Sequence, residues 1–210
     1  MGSINLMLYL SIATPLFMML FICEKKTRRV LFFMLCGISI CLISGQISGY
    51  LYSLINSTVT YTYFTVNITP TIEELLKSVP IVTYAFVKRH DDRTVLECAI
   101  AVGVGFAILE NAFVLSSNID IISIPLALAR GFGSGMMHGL CTLAVGYGMT
   151  FVLYRRKLFY TGSVALLGAA VMYHSLYNIL AQSQYQLVGF ILPMLTFIPI
   201  LIIMKKRDVI

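Results

Sequence analysis

Apolar runs long enough to cross a bilayer follow one another along almost the whole chain, and four short basic clusters punctuate them. A spanning helix needs about 20 predominantly apolar residues. Seven stretches qualify, at roughly 4–23, 30–55, 62–87, 94–117, 125–154, 158–181 and 186–204. Inside lipid every backbone amide must find its partner within the protein, which selects helices for segments of this length. Charge is scarce to match: 11% of residues are charged, against about 25% in a soluble domain. The expected fold is therefore all-α, a polytopic membrane helix bundle of about seven transmembrane helices. A length of 210 residues leaves room for one membrane-embedded domain over 1–210 and no sizeable soluble one.

The net charge of +6 would point to nucleic acid on a soluble protein. Here the position of the charges points elsewhere, to the lipid bilayer, and no nucleic-acid partner is expected. Thirteen of the 15 basic residues fall in four groups: Lys25, Lys26, Arg28 and Arg29; Lys88, Arg89 and Arg93; Arg155, Arg156 and Lys157; Lys205, Lys206 and Arg207. With seven spans all four groups lie on one side, which the positive-inside rule makes the cytoplasm. Without the 62–87 span, the weakest by hydropathy, the first group would face the other three. The N-terminus is thus expected outside and the C-terminus in the cytosol. No basic residue precedes the first apolar run, so that run reads as a retained span and not a signal peptide. The five cysteines lack any CxxC pair and read as packing residues.

A charged group near the bilayer centre costs at least ~2.5–3.5 kcal/mol on insertion scales, so residues that bear this cost are functional candidates. They are Glu73, Glu74, Lys77, Glu110, Asn111, Arg130, His138, His174 and Asn178. Counted from the nearest basic group, Glu73 lies 15 residues in, and Glu110, His138 and His174 each lie 17. At 1.5 Å per residue the four share one depth, roughly 22–26 Å from the cytosolic edge, in the outer part of a hydrocarbon core about 30 Å thick. Each has a plainer reading alone: Glu73 and Lys77, at i,i+4, can form a structural ion pair, a lone histidine can be a packing residue, and Arg130 can snorkel to headgroups. Scattered packing residues have no reason to share a depth. Helix contact is expected along Gly131, Gly135 and Gly139, since small residues every four positions let helices approach closely. Asn178, one turn from His174, is placed to bond the imidazole or a substrate amide.

In order, the chain reads Glu73-Glu74-x-x-Lys77, Gly105-Phe106-Ala107-x-x-Glu110-Asn111, Arg130 with His138, and His174-x-x-x-Asn178. Over roughly residues 70–180 this resembles the PrsW family of intramembrane proteases, related to the CAAX- and bacteriocin-processing membrane glutamate proteases. The resemblance implies an integral protein of the bacterial cell membrane that makes the extracytoplasmic, site-1 cut in a membrane-anchored substrate such as an anti-sigma factor. Peptide hydrolysis then assigns roles. Glu73, or Glu74, is the base that activates water. His138 and His174, helped by Asn178, stabilise the oxyanion. Glu110 orients a histidine or shares the base role, and Lys77, Asn111 and Arg130 support the set. Without an HExxH sequence, this reading favours a metal-free glutamic peptidase. A zinc-dependent version, with ligands from Glu73, Glu110, His138 and His174, is the first alternative. A proton-coupled transporter, which also needs buried carboxylates and histidines, is the second, and a catalytically silent scaffold the third.

Overall fold

The computed structural model describes residues 2–22, 27–87, 91–118 and 123–206. Among them every regular element is helical, and seven helices are long: α1 (Gly2–Ile22), α2 (Thr27–Ile55), α3 (Thr69–Val87), α4 (Asp92–Ser117), α5 (Ile124–Tyr154), α6 (Ala165–Ala181) and α7 (Gln186–Lys206). They coincide with the seven apolar stretches. A short helical turn at Tyr61–Tyr63 and a widened π-helical turn at Phe64–Ile68 lead into α3. A second π-helical segment, Phe159–Val164, leads into α6. Among the described residues, four helical stretches are long and apolar enough to cross a membrane: 28–55, 92–117, 124–154 and 156–181. Helix α3 carries Glu73, Glu74 and Lys77 within 19 residues, and that charge keeps it out of the group. Of the basic clusters, Lys25, Lys26, Lys88, Arg89 and Arg207 lie outside the described residues.

Caps set where the central helices begin. Asp91 accepts a 3.1 Å hydrogen bond from the Thr94 amide and starts α4, the usual work of an N-cap aspartate. Ser123 caps α5 through the Leu126 amide, with a proline in the first turn, where no amide donor is missed.

Helix α4 is the post around which the bundle is built. Val95, Leu96, Ala99, Ile100, Ala101, Val102, Val104 and Ala107 are all fully buried, so α4 is apolar on every face, the mark of a helix surrounded by protein. Glycines bring its neighbours close. A Cβ on Gly103 would collide with the carbonyl oxygen of His138 and the hydroxyl of Thr142, and one on Gly105 with the Met34 carbonyl. The backbones of α4 and α5 therefore nearly touch at His138, which fixes that imidazole beside Phe106 and Glu110. Helix α6 lies at the rim: Ala170, His174 and Tyr177 are its buried residues, and Met172 is 75% exposed. On α5, Gly135 meets Pro15 of α1 and Gly139 meets Phe197 of α7, so the glycine stripe serves packing on two sides.

Candidate active site

Four helices deliver their polar side chains to one place. Helix α3 presents Lys77 about one turn, and Glu73 and Glu74 about two turns, before Pro80. Helix α4 adds Glu110, α5 adds His138 and Arg130, and α6 adds His174. Lys77 Nζ donates to Glu74 Oε1 at 2.6 Å and to His138 Nδ1 at 2.7 Å, and sits 4.5 Å above the Phe106 ring centre, a cation–π distance. Glu74 Oε1 also lies 2.7 Å from His174 Nδ1. Glu110 Oε2 lies 3.0 Å from His138 Nε2, accepts from the Ser134 hydroxyl at 3.1 Å and lies 3.7 Å from Arg130 Nη2. The two imidazoles meet edge to face, their centres 4.8 Å apart.

Three placements differ from the spacing argument. Lys77 pairs with Glu74 at i,i+3 and not with Glu73 at i,i+4; both spacings share a helix face, and both glutamates reach His174 of α6. The Asn178 amide donates to the carbonyl oxygen of Thr65 at 3.1 Å, away from both imidazoles, so it fastens α6 to the π-helical turn before α3. Asn111 is fully buried, with neither polar atom of its side chain hydrogen-bonded. Thr65 was invisible to pattern reading because it acts through its backbone oxygen. Ser134, one turn before His138 on α5, holds Glu110 through its hydroxyl, a contact that only the fold shows.

The division of labour between the glutamates follows from their hydrogen bonds. Glu74 Oε1 is taken by both Lys77 and His174, while its Oε2 is buried without a partner. Glu73 Oε2 and His174 Nε2 face each other at 3.7 Å, too far for a hydrogen bond, and both are buried without a partner. Buried polar atoms left unmade cost roughly 1–3 kcal/mol each, so such a pair marks a place where something else binds.

A metal ion fits this place. Ligand atoms of Glu73, His138 and His174 all lie within 4.8 Å of one another, a His2Glu set of the kind that holds catalytic zinc with a fourth position open. Each histidine gives its other nitrogen to a carboxylate, His174 to Glu74 and His138 to Glu110, the outer-shell arrangement that fixes a metal-binding tautomer. The lone pair this leaves on His174, at Nε2, faces Glu73. The one it leaves on His138, at Nδ1, faces the Lys77 ammonium, so Lys77 and an ion would compete for that nitrogen.

The family model described as "PrsW family intramembrane metalloprotease" matches residues 25–204. The chain belongs to the PrsW family. It is an integral, multi-pass membrane peptidase that acts on membrane protein within the lipid bilayer, and the family description itself names it a metalloprotease. No curated protein and no solved structure gives a significant match.

Proposed function

We propose that this PrsW-family chain is a single membrane-embedded domain of seven spans, N-terminus outside and C-terminus cytosolic, that makes the site-1, extracytoplasmic-side cut in a single-span substrate of the anti-sigma-factor kind. The observation that carries the proposal is the unpartnered pair Glu73 Oε2 and His174 Nε2, 3.7 Å apart, with His138 beside it. The shared depth of these groups, nearer the end of the bundle that holds residues 118 and 182, supports a cut close to the outer surface.

Glu73, His138 and His174 would hold a divalent ion, for which zinc suits the donor set best. When bound, such an ion supplies Lewis acidity, making water more acidic and polarising the substrate carbonyl. The chain's own residues do the rest. Glu74 accepts the Nδ1 proton of His174 and holds Nε2 toward the reacting water. Glu110 accepts the Nε2 proton of His138 and turns its Nδ1 toward Lys77. Glu73 has two carboxylate oxygens: one suffices to hold an ion, and the other takes the water proton and returns it to the leaving amine. Lys77 and Arg130 place positive charge around the developing oxyanion in a largely buried site, where charge counts more than in bulk water. Sequence alone favours metal-free chemistry. The two unpartnered donors, together with the carboxylate behind each imidazole, move the preference to a metal.

The test is cleavage of a single-span reporter by the protein reconstituted in lipid vesicles, together with metal analysis of the same sample. We expect one cut near the outer boundary and about one bound divalent ion per chain. Loss of both activity and ion on chelation, and their return with zinc, is the expected pattern. Full activity in metal-free protein would remove the ion from the mechanism and leave Glu73 as a metal-free base. Proton-coupled transport without any cleavage would replace the peptidase with the transporter.

A further inference from the structure

Beside the catalytic cluster lies a second cavity, of about 360 Å³, at the meeting of the α4 and α6 C-terminal ends with the first turns of α5 and α7. Its polar lining is Arg130, Asn118, Gln182 and Gln186, and its apolar lining includes Leu115 and Phe190. Among the described residues no carboxylate lines it. Arg130 is the cation of this wall. The anion paired with it among the described residues, Glu110 Oε2, is 3.7 Å away and is already engaged by His138 and Ser134. Arg130 Nε is buried with no hydrogen-bond partner. The Gln182 side-chain oxygen is taken by the Thr65 hydroxyl, which leaves its amide nitrogen as a further donor. The cavity thus combines amide donors with a guanidinium whose ion pair to Glu110 is long and shared and whose buried Nε is left unbonded, an unmade hydrogen bond that costs roughly 1–3 kcal/mol.

We propose that this cavity is a specificity subsite that takes an acidic side chain, aspartate or glutamate, of the substrate segment flanking the scissile bond. The inference rests on the peptidase reading above. Arg130 presents a planar fork suited to bidentate recognition of a carboxylate. It touches Glu110, which touches His138, so an acid held here lies about two to four residues from the cut in an extended chain. A lipid phosphate offers similar chemistry. The Arg130 side chain is only 14% exposed, though, and a snorkelling arginine would reach out to the headgroups. The outward loops near 56–61, 118–124 and 182–185 contain no Lys or Arg, so nothing there competes for an acidic substrate.

The test uses reporters carrying Asp, Asn or Lys at the positions two to four residues outward of the cut. They are cleaved by the wild type, by Arg130→Gln and by Arg130→Glu. We expect the wild type to favour Asp over Asn by roughly tenfold or more in kcat/KM, mainly through KM, as a charge-assisted hydrogen bond implies. Arg130→Gln should lose that discrimination, and Arg130→Glu should reverse it toward Lys. Equal cleavage of all three reporters by the wild type would overturn the subsite. So would a fall in Arg130→Gln by one common factor, which marks an arginine that serves the reaction centre or the fold and does not read the substrate. A preference set by anionic lipid in the vesicle, and not by the reporter, would assign the cavity to headgroups. Binding separates this inference from the peptidase reading. On Glu73→Gln protein, fluorescent Asp peptide should bind about tenfold tighter than Asn peptide, and the added Arg130→Gln change should abolish the difference. That difference without cleavage by the wild type would sink the peptidase and keep the subsite; cleavage without it would do the reverse.

Discussion

Helices α4 and α6 each bring a polar group to the centre, Glu110 and His174, yet they are held in opposite ways. In α4 67% of the most apolar stretch is buried, in α6 only 17%. Helix α4 is locked by shape, through Gly103 against the His138 backbone and Gly105 against Met34. Helix α6 is held by a thin inner face and by polar fastenings: His174 to Glu74, Asn178 to the Thr65 carbonyl, and Tyr173 to Thr196 of α7 at 2.5 Å. In a membrane this contrast has force, because lipid tails give apolar helices no hydrophobic reason to leave them. Close packing and hydrogen bonds must do what burial does in water.

The contrast predicts that damage on α6 appears as lost activity and damage on α4 as lost fold. The largest effect is expected from His174→Ala: reporter cleavage should fall about a thousandfold while the protein still elutes as a single folded species in detergent. A variant that aggregates would break the contrast at once. Gly103→Val comes next. It forces α5 away from α4 and should cost about 1–3 kcal/mol or more, read as a lowered melting temperature of the purified protein. Asn178→Ala should cost about 1 kcal/mol, the net worth of one hydrogen bond, and a proteolysis assay on α6 should show the loosening more clearly than global melting does. Smallest is Met172→Leu on the lipid face of α6, which should stay within about 0.5 kcal/mol of the parent. A large loss there would show that α6 packs against something beyond the single chain.

Much of this was open to reading from the chain. The apolar runs locate all seven long helices, and α3 counts as a span despite its charges because two spans are needed between the first and second basic clusters to put all four on one side. Residue counts from those clusters brought Glu73, Glu110, His138 and His174 to one level, and the structure joins them in one cluster. Pairings were less legible. Whether Lys77 turns to Glu73 or Glu74 depends on the rotation of α3 against α5 and α6, and both spacings satisfy a helix face. Asn178 looked like a partner for an imidazole because a sequence cannot show a backbone carbonyl exposed by a π-helical turn. The Arg130 cavity was illegible for a related reason: it is formed by four helix ends, and no single segment records it.

One bond in the site has a consequence for how the chain is made. Glu74 and Lys77 stand three residues apart on the same helix and are joined at 2.6 Å, so their pairing requires none of the later segments. A nascent α3 leaving the ribosome can enter the bilayer with that acid and base already neutralising each other, before His138 and His174 have been translated. Two of its three charges, each worth ~2.5–3.5 kcal/mol against insertion when alone, are thereby masked at the moment when lipid would resist them most.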